Sequence, residues 1–440
     1  MRFREKFIFT AGSIFEPAFY DHVLNAKYVD SLSADSDIQR LNKICDYAYT
    51  HNAFYRNKYS GTLRGLNNYS DVKDIPCLTK DELITMGSLL NKNCFLVALA
   101  SGGTGGEKTN TYLDGNYLLK RYEMLLSILY GLGWHIGDST LALHPVEYGY
   151  FNNLITMLKG GEFRKIFFDF FQQYILYGIF HNRKNIYYDS GVFEVEREVE
   201  YFSKIFKSQP KLLLSRPDVL NKLVKQANTK GLRLGNLSNV ITVGNLITGY
   251  SLKRLRESFN SRVYNMYAST ELGYVGVSCD YSGSSVHIDS KSYLVETDRS
   301  EDNEVIITDF NNHYMPIIRY RTADIGQLFE SKCECGRSGK MLRILGRKDR
   351  FLLNKQGKKV YGLDVDEYLD SYSSLWAYQL KRQGSGKIKI IVRPKNIDKI
   401  YAEKAFYSFA EAFDIDESLF IFDYDEAFEI TASGKFCAIV

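Results

Sequence analysis

Proline is scarce in this chain, with seven in 440 residues, and nothing resembles a proline-rich or low-complexity linker. Neither charge sign dominates. The 56 basic and 52 acidic residues leave +4, too balanced to argue for nucleic acid or an anionic membrane as partner. No long apolar run is present. The most hydrophobic window, Ile166 to Phe180, is interrupted by Asp169, Gln172 and Gln173 and falls short of the roughly 20 residues a membrane span requires. The opening Met1-Arg2-Phe3-Arg4-Glu5-Lys6 has no signal core, and Phe7-Ile8-Phe9 is too short to supply one. Seven scattered cysteines, an odd number, do not form a secreted disulfide framework. The expectation is a cytoplasmic protein of two or three domains, because 440 residues exceed a single core.

What is present centres on Ser101-Gly102-Gly103-Thr104-Gly105-Gly106, which follows an apolar strand pattern, Cys94 to Ala100. Glycines let such a loop curl and aim backbone N–H groups at one anion, and Ser101 and Thr104 add hydroxyl donors. The loop reads as a phosphate grip. It is not a Walker A loop, since Glu107 separates Gly106 from Lys108. It is not a dinucleotide fingerprint either, since Thr111-Tyr112-Leu113-Asp114 follows where a helix would have to open.

Periodicity predicts a helix over Asp35 to Tyr59, a capping box at Thr79 and Glu82, and a helix capped by Asp114. Strands are predicted at Asp138 to His144, Lys211 to Ser215, Asn239 to Val243 and Arg262 to Tyr267, with Ser251 capping a helix to Phe259. Alternating strands and helices predict a parallel or mixed sheet covered on both faces. Close-spaced strands follow at Tyr293 to Glu296, Glu304 to Phe310 and Met315 to Tyr320. A compact α+β unit follows from Leu375.

Four further stretches carry chemistry. Tyr267-Ala268-Ser269-Thr270-Glu271 ends a predicted strand, where Glu271 suits Mg²⁺ between phosphates, Thr270 can donate to a phosphate and Tyr267 can stack on a base. Arg319-Tyr320-Arg321-Thr322-Ala323-Asp324 ends in Asp324, whose paired oxygens can accept hydrogen bonds on one rigid group. Gly346-Arg347-Lys348-Asp349 marks a border, and Ser433-Gly434-Lys435 a glycine turn near the end. Cys279, His287, Cys333 and Cys335 are three thiols and an imidazole, the right set for tetrahedral Zn²⁺ in a structural site.

In their order, these segments resemble the motifs of the adenylate-forming superfamily of acyl- and aryl-CoA ligases and adenylation domains. Phe54-Tyr55-Arg56, Ile75-Pro76-Cys77-Leu78-Thr79-Lys80-Asp81-Glu82-Leu83 and Cys333-Glu334-Cys335-Gly336-Arg337 are similar to the phenylacetate–coenzyme A ligase branch, with its capsule-cluster relatives. The resemblance runs from Phe54 to Lys435. It implies an α/β fold with a large N-terminal domain, residues 1–347, of mixed sheets flanked by helices plus a β-rich subdomain, and a small mobile α+β lid, residues 348–440. It implies ATP and Mg²⁺ as cofactors, a small carboxylic acid as substrate, and coenzyme A or a carrier protein's phosphopantetheine as acceptor. By the same resemblance Ser101, Gly102, Gly103, Thr104 and Gly105 grip phosphate, Tyr267, Asp324 and Arg347 hold the nucleoside, and Thr270, Glu271 and Lys435 act in catalysis. Asp349 is the hinge, although Arg350 stands where the family has a second acid. Gly244 and Asn245 fall at the acyl pocket, where the family tends to have Gly-Glu or Gly-Ala. An amine acceptor and a catalytically silent nucleotide-binding homologue are the rival readings; Glu271, Asp324 and Lys435 together argue against the silent one. The aromatics between Phe163 and Tyr188 can line a pocket, pack a homodimer or fill a core.

Overall fold

A computed structural model describes residues 2–24, 34–59, 65–90, 97–100, 110–145, 150–161, 163–188, 209–232, 234–431 and 435–440. The glycine-loop residues Ser101, Gly102, Gly103, Thr104 and Gly105 lie outside these. Their flanks are described: Val97–Ala100 and Asn110–Leu113 pair antiparallel, with Ala100 opposite Asn110.

An eleven-stranded mixed sheet forms the frame. From one edge, Arg183–Tyr188, Thr140–Pro145, Leu212–Ser215, Asn239–Val243 and Arg262–Ser269 run parallel. Beyond Arg262–Ser269 every pairing is antiparallel, through Gly273–Val277, Val286–Ile288, Ser338–Arg347, Ile317–Lys332, Glu304–Asp309 and Tyr293–Asp298. The inner parallel strands Thr140–Pro145, Leu212–Ser215 and Asn239–Val243 are apolar on both faces because both are covered. Val240 and Val263 face one way, into a core with Leu220, Leu223, Leu252 and Phe259. Their neighbours Ile241 and Tyr264 face the other way, packing with Leu125, Leu126, Leu129 and Trp134.

Helix starts follow local chemistry. Thr79 Oγ1 accepts from Glu82 N and Glu82 returns a bond to Thr79 N, and Asp114 accepts from Tyr117 N at 2.8 Å. Two expectations need correction. The helix predicted over Asp35 to Tyr59 is two, Ala34–His51 and Ala53–Lys58, because the Asn52 side chain caps a new start at Phe54 N. The helix ending at Phe259 begins at Gly249, and its cap is Thr248, which accepts from Ser251 N at 2.8 Å. The predicted strand Met315 to Tyr320 is the start of Ile317–Lys332, whose pairing shifts register and whose Arg319 and Ala323 have φ of +49° and +60°.

Past Arg347 a separate apolar core forms, from Leu352 to Ile439. It unites the helices Gly362–Leu369 and Lys399–Phe413 with a three-stranded sheet of Ala377–Arg382, Ile388–Arg393 and Phe420–Asp423. Among the described residues, no helix is long and apolar enough to cross a membrane.

Candidate active site

Open α/β sheets bind ligands beyond the carboxyl ends of their parallel strands. Here that place is the end of Arg262–Ser269, parallel to one neighbour and antiparallel to the other. Tyr267 to Glu271 lies there, beside Gly244 and Asn245 at the end of the adjacent strand, and all line a cavity of about 390 Å³. Asp324, Arg347 and Lys435 line the same cavity. Residues up to 191 positions apart in the chain thus converge, as the Asn245–Phe436 bond illustrates.

Arg121 shapes the turn. It donates to the carbonyl oxygens of Thr270 at 3.0 Å and Ser269 at 3.4 Å. Gly273, at φ +84°, makes room for it, since a Cβ there would lie 2.8 Å from Arg121 Nε. Glu271 is buried at the cavity wall. Ala323, in its left-handed conformation, delivers Asp324, whose Oδ2 accepts from Tyr267 Oη at 2.6 Å and whose Oδ1 accepts from Arg347 Nη1 at 2.9 Å. Arg347 also donates to the Thr322 carbonyl at 3.0 Å. Burial, then the Asp324 charge, pushes the Tyr267 phenol well above its usual range. Its hydroxyl therefore stays protonated and donates to Asp324.

The Lys435 backbone is tied to Thr431: its N–H donates to Thr431 Oγ1 at 3.0 Å and its carbonyl accepts from Thr431 N at 3.1 Å. Burial lowers the pKa of its ammonium, while the Asp324 charge opposes that shift. Asn245 Nδ2 donates to Asp218 Oδ1 at 2.8 Å and to the Phe436 carbonyl at 3.0 Å, so it meets the terminal segment. Asp349 is largely exposed; its carbonyl accepts from Arg382 at 2.9 Å and its carboxylate lies 3.9 Å from Arg347.

One cluster escaped the sequence reading. Asp370, buried in the terminal unit, accepts from Thr248 at 2.6 Å, from Ser251 and from Arg254 at 2.6 Å, with Lys225 at 3.4 Å. Its partners lie 116 or more positions earlier in the chain and belong to no motif, so no spacing in the sequence signals it.

The predicted metal set also comes together. The ligand atoms of Cys279, His287, Cys333 and Cys335 all lie within 4.8 Å of one another. Cys279 Sγ is 3.5 Å from Cys333 Sγ, and Cys335 Sγ 3.5 Å from His287 Nε2. Ligands around one tetrahedral zinc stand roughly 3.4–3.8 Å apart, so the set fits. A turn with Gly336 at φ +84° and Cys333 N bonded to the Arg337 carbonyl brings the two nearby thiols together. Burial lowers the His287 pKa to about 4, keeping the ring neutral and able to ligate.

No family model matches the chain, and no curated protein matches it. Solved structures do. A 2-hydroxyisobutyryl-CoA ligase in the postadenylation state with 2-HIB-AMP aligns at TM-score 0.67 and 15% identity, covering 90% of this chain and 88% of that one. The chain has the adenylate-forming ligase fold. The same ligase with 2-HIB-AMP and CoA in the thioesterification state aligns at 0.56 and 16% identity, over 89% and 88%. The adenylation and carrier-protein unit of McyG, complexed with phenylalanyl-adenylate, aligns at 0.51 and 14% identity, over 77% and 64%.

Proposed function

We propose that this protein is a cytoplasmic, AMP-forming acid–thiol ligase of the phenylacetate–coenzyme A ligase-like branch. An acid's carboxylate oxygen attacks the α-phosphorus of ATP; the bond to the bridging oxygen breaks, giving acyl-AMP and pyrophosphate. A thiol, from coenzyme A, then takes the acyl group and releases AMP. The observation that carries this reading is the convergence of Lys435, Asp324, Arg347, Thr270 and Glu271 on one cavity at the carboxyl end of the strand Arg262–Ser269.

Asp324 accepts the ribose hydroxyls, and Arg347 holds it in place while facing ribose or phosphate. Thr270 donates to the α-phosphate, and the loop from Ser101 to Gly105 grips the distal phosphates. Glu271 would hold Mg²⁺, which supplies charge neutralisation on the phosphates. Lys435 bridges the attacking carboxylate and the α-phosphate, where charge develops in a partly dry site. Gly244 and Asn245 border the acid. Residues 348–440 act as a lid turning at Asp349, and zinc on Cys279, His287, Cys333 and Cys335 ties the β region together without taking part in the chemistry.

Carboxylate-dependent ATP–pyrophosphate exchange over a panel of aromatic and aliphatic acids tests this. Exchange that needs both an acid and Mg²⁺ is expected. ATP binding with no exchange for any acid would make the protein a silent nucleotide-binding homologue. Exchange without CoA-thioester formation would move the acceptor to a carrier protein or an amine.

A further inference from the structure

Asn245 ends in an amide, and both of its N–H donors are committed. Nδ2 donates to Asp218 Oδ1 at 2.8 Å and to the Phe436 carbonyl at 3.0 Å. Both acceptors are oxygens with no hydrogen to give. The amide therefore cannot be turned round, since Oδ1 in that place would face a carboxylate and a carbonyl. Asp218 is itself fixed. It lies in the first turn of the helix Pro217–Thr229, and its Oδ2 accepts from Arg216 Nη2 at 3.1 Å. Arg216, Asp218 and Asn245 thus form a chain of side chains that ends on the backbone of the terminal segment.

That backbone is otherwise held from within the terminal unit. The Lys435 carbonyl accepts from Thr431 N at 3.1 Å, the Cys437 carbonyl from Gln379 Nε2 at 3.0 Å and the Ala438 carbonyl from Leu380 N at 2.8 Å. Gln379 is buried and bonds the Glu429 backbone in both directions, at 2.7 and 2.9 Å. Among these carbonyls stands that of Phe436, and its donor belongs to the large unit. The segment is rigid within the terminal unit, and of these four bonds the one from Asn245 sets where it sits against the large unit. Lys435 precedes Phe436 directly, and it lines the same cavity as Asn245.

We infer that Asn245 is a positioning residue for activation of the acid: by holding the Phe436 carbonyl it keeps Lys435 at the cavity, and its release accompanies the turn of the lid. This rests on the ligase reading above and goes beyond Asn245's place beside the acid. N245A removes the donor. N245D replaces it with acceptors alone and sets a second negative charge against Asp218.

The test uses the full chain and both variants, with two kinds of readout. The first needs no activity: hydrogen–deuterium exchange of residues 435–440 in the protein without ligands. Protection there should fall at least about fivefold in N245A, the scale of one lost hydrogen bond, while the strand Ile388–Arg393 keeps its protection. The second compares ATP–pyrophosphate exchange with consumption of supplied acyl-AMP by coenzyme A, over the same panel of acids. The ratio of exchange to consumption should fall at least about fivefold in N245A and further in N245D, with the rank order of the acids unchanged. Unaltered protection at residues 435–440 in both variants overturns the inference, as does an equal fall in the two half-reactions. A changed rank order of acids with the ratio intact would also overturn it, and would make Asn245 a wall of the acid pocket. Lost protection in N245A, with no exchange by wild type for any acid, would leave the anchoring bond standing and overturn the ligase reading instead. Either variant decides the question if the other does not fold.

Discussion

At the scale of single residues, Asp324 shows how a motif residue is prepared by its neighbours. Its two oxygens already accept from Tyr267 and Arg347, which fixes the carboxylate plane before any nucleotide arrives. Asp324→Ala should therefore remove a charged acceptor and also loosen Arg347. ATP affinity should fall by roughly 1.5–3 kcal/mol, the range for hydrogen bonds to a charged group. Calorimetry giving unchanged affinity in a folded variant would take Asp324 out of the nucleotide site. The thiol–imidazole set makes a second residue-scale prediction. Protein purified without added zinc should carry about one equivalent per chain, and Cys335→Ser should lower both zinc content and melting temperature. Finding no metal, with stability indifferent to chelation, would leave four reduced side chains and no site.

At the scale of elements, local signals in the sequence were legible wherever one side chain decides the outcome. The capping box at Thr79 and the cap at Asp114 are such cases, as is the buried strand Asn239–Val243. The misplaced starts share a cause. Asn52 and Thr248 are capping side chains inside stretches whose apolar spacing runs on or starts later, so periodicity alone passed over them. The site's motif residues could be read because the family resemblance fixes their order. Asp370 could not, because its meaning depends on which helices become neighbours. The helix Gly362–Leu369 supplies a test at this scale. It carries Asp366, enclosed and bonded to Tyr378 Oη at 2.6 Å, with Asp370, Lys225 and Asp218 as its charged neighbours. Burial raises its pKa from 3.8 to about 7. A raised folded-state pKa means the folded chain holds this proton more tightly, so its contribution to stability is present at acid pH and is lost as pH rises toward 7. Asp366→Asn cannot ionise. Relative to wild type it should gain roughly 1–3 kcal/mol of stability between pH 5 and pH 8. Parallel melting curves at the two pH values check this, and a constant gap between the proteins would show that Asp366 does not titrate there.

At the scale of the whole molecule, the issue is what holds the terminal unit against the large one. Two contacts stand out. Asn245 reaches the Phe436 carbonyl beside Lys435, and Asp370 is gripped by Thr248, Ser251, Arg254 and Lys225. Both tie the terminal unit to the large one while Lys435 lines the cavity. If the lid must turn at Asp349 for the thiol to enter, these contacts must break and the two half-reactions should separate genetically. Lys435→Ala should abolish acyl-adenylate formation, because the charge at the α-phosphate loses its partner, while transfer from supplied acyl-AMP is spared. Asp370→Ala should lean the same way for a different reason. It leaves Lys225 and Arg254 buried without their carboxylate, a loss that breaking a buried pair makes large, and so it disfavours the docked lid without touching the reacting atoms. Asp349→Pro should do the reverse, since proline fixes φ and restrains a rotation at that bond. Pyrophosphate exchange and acyl-AMP consumption with coenzyme A, measured side by side, give the pattern. Exchange should fall at least about tenfold in Asp370→Ala with transfer kept, and transfer should fall in Asp349→Pro with exchange kept. Equal loss of both activities in folded Lys435→Ala and Asp370→Ala would mean that one arrangement of the lid serves both steps.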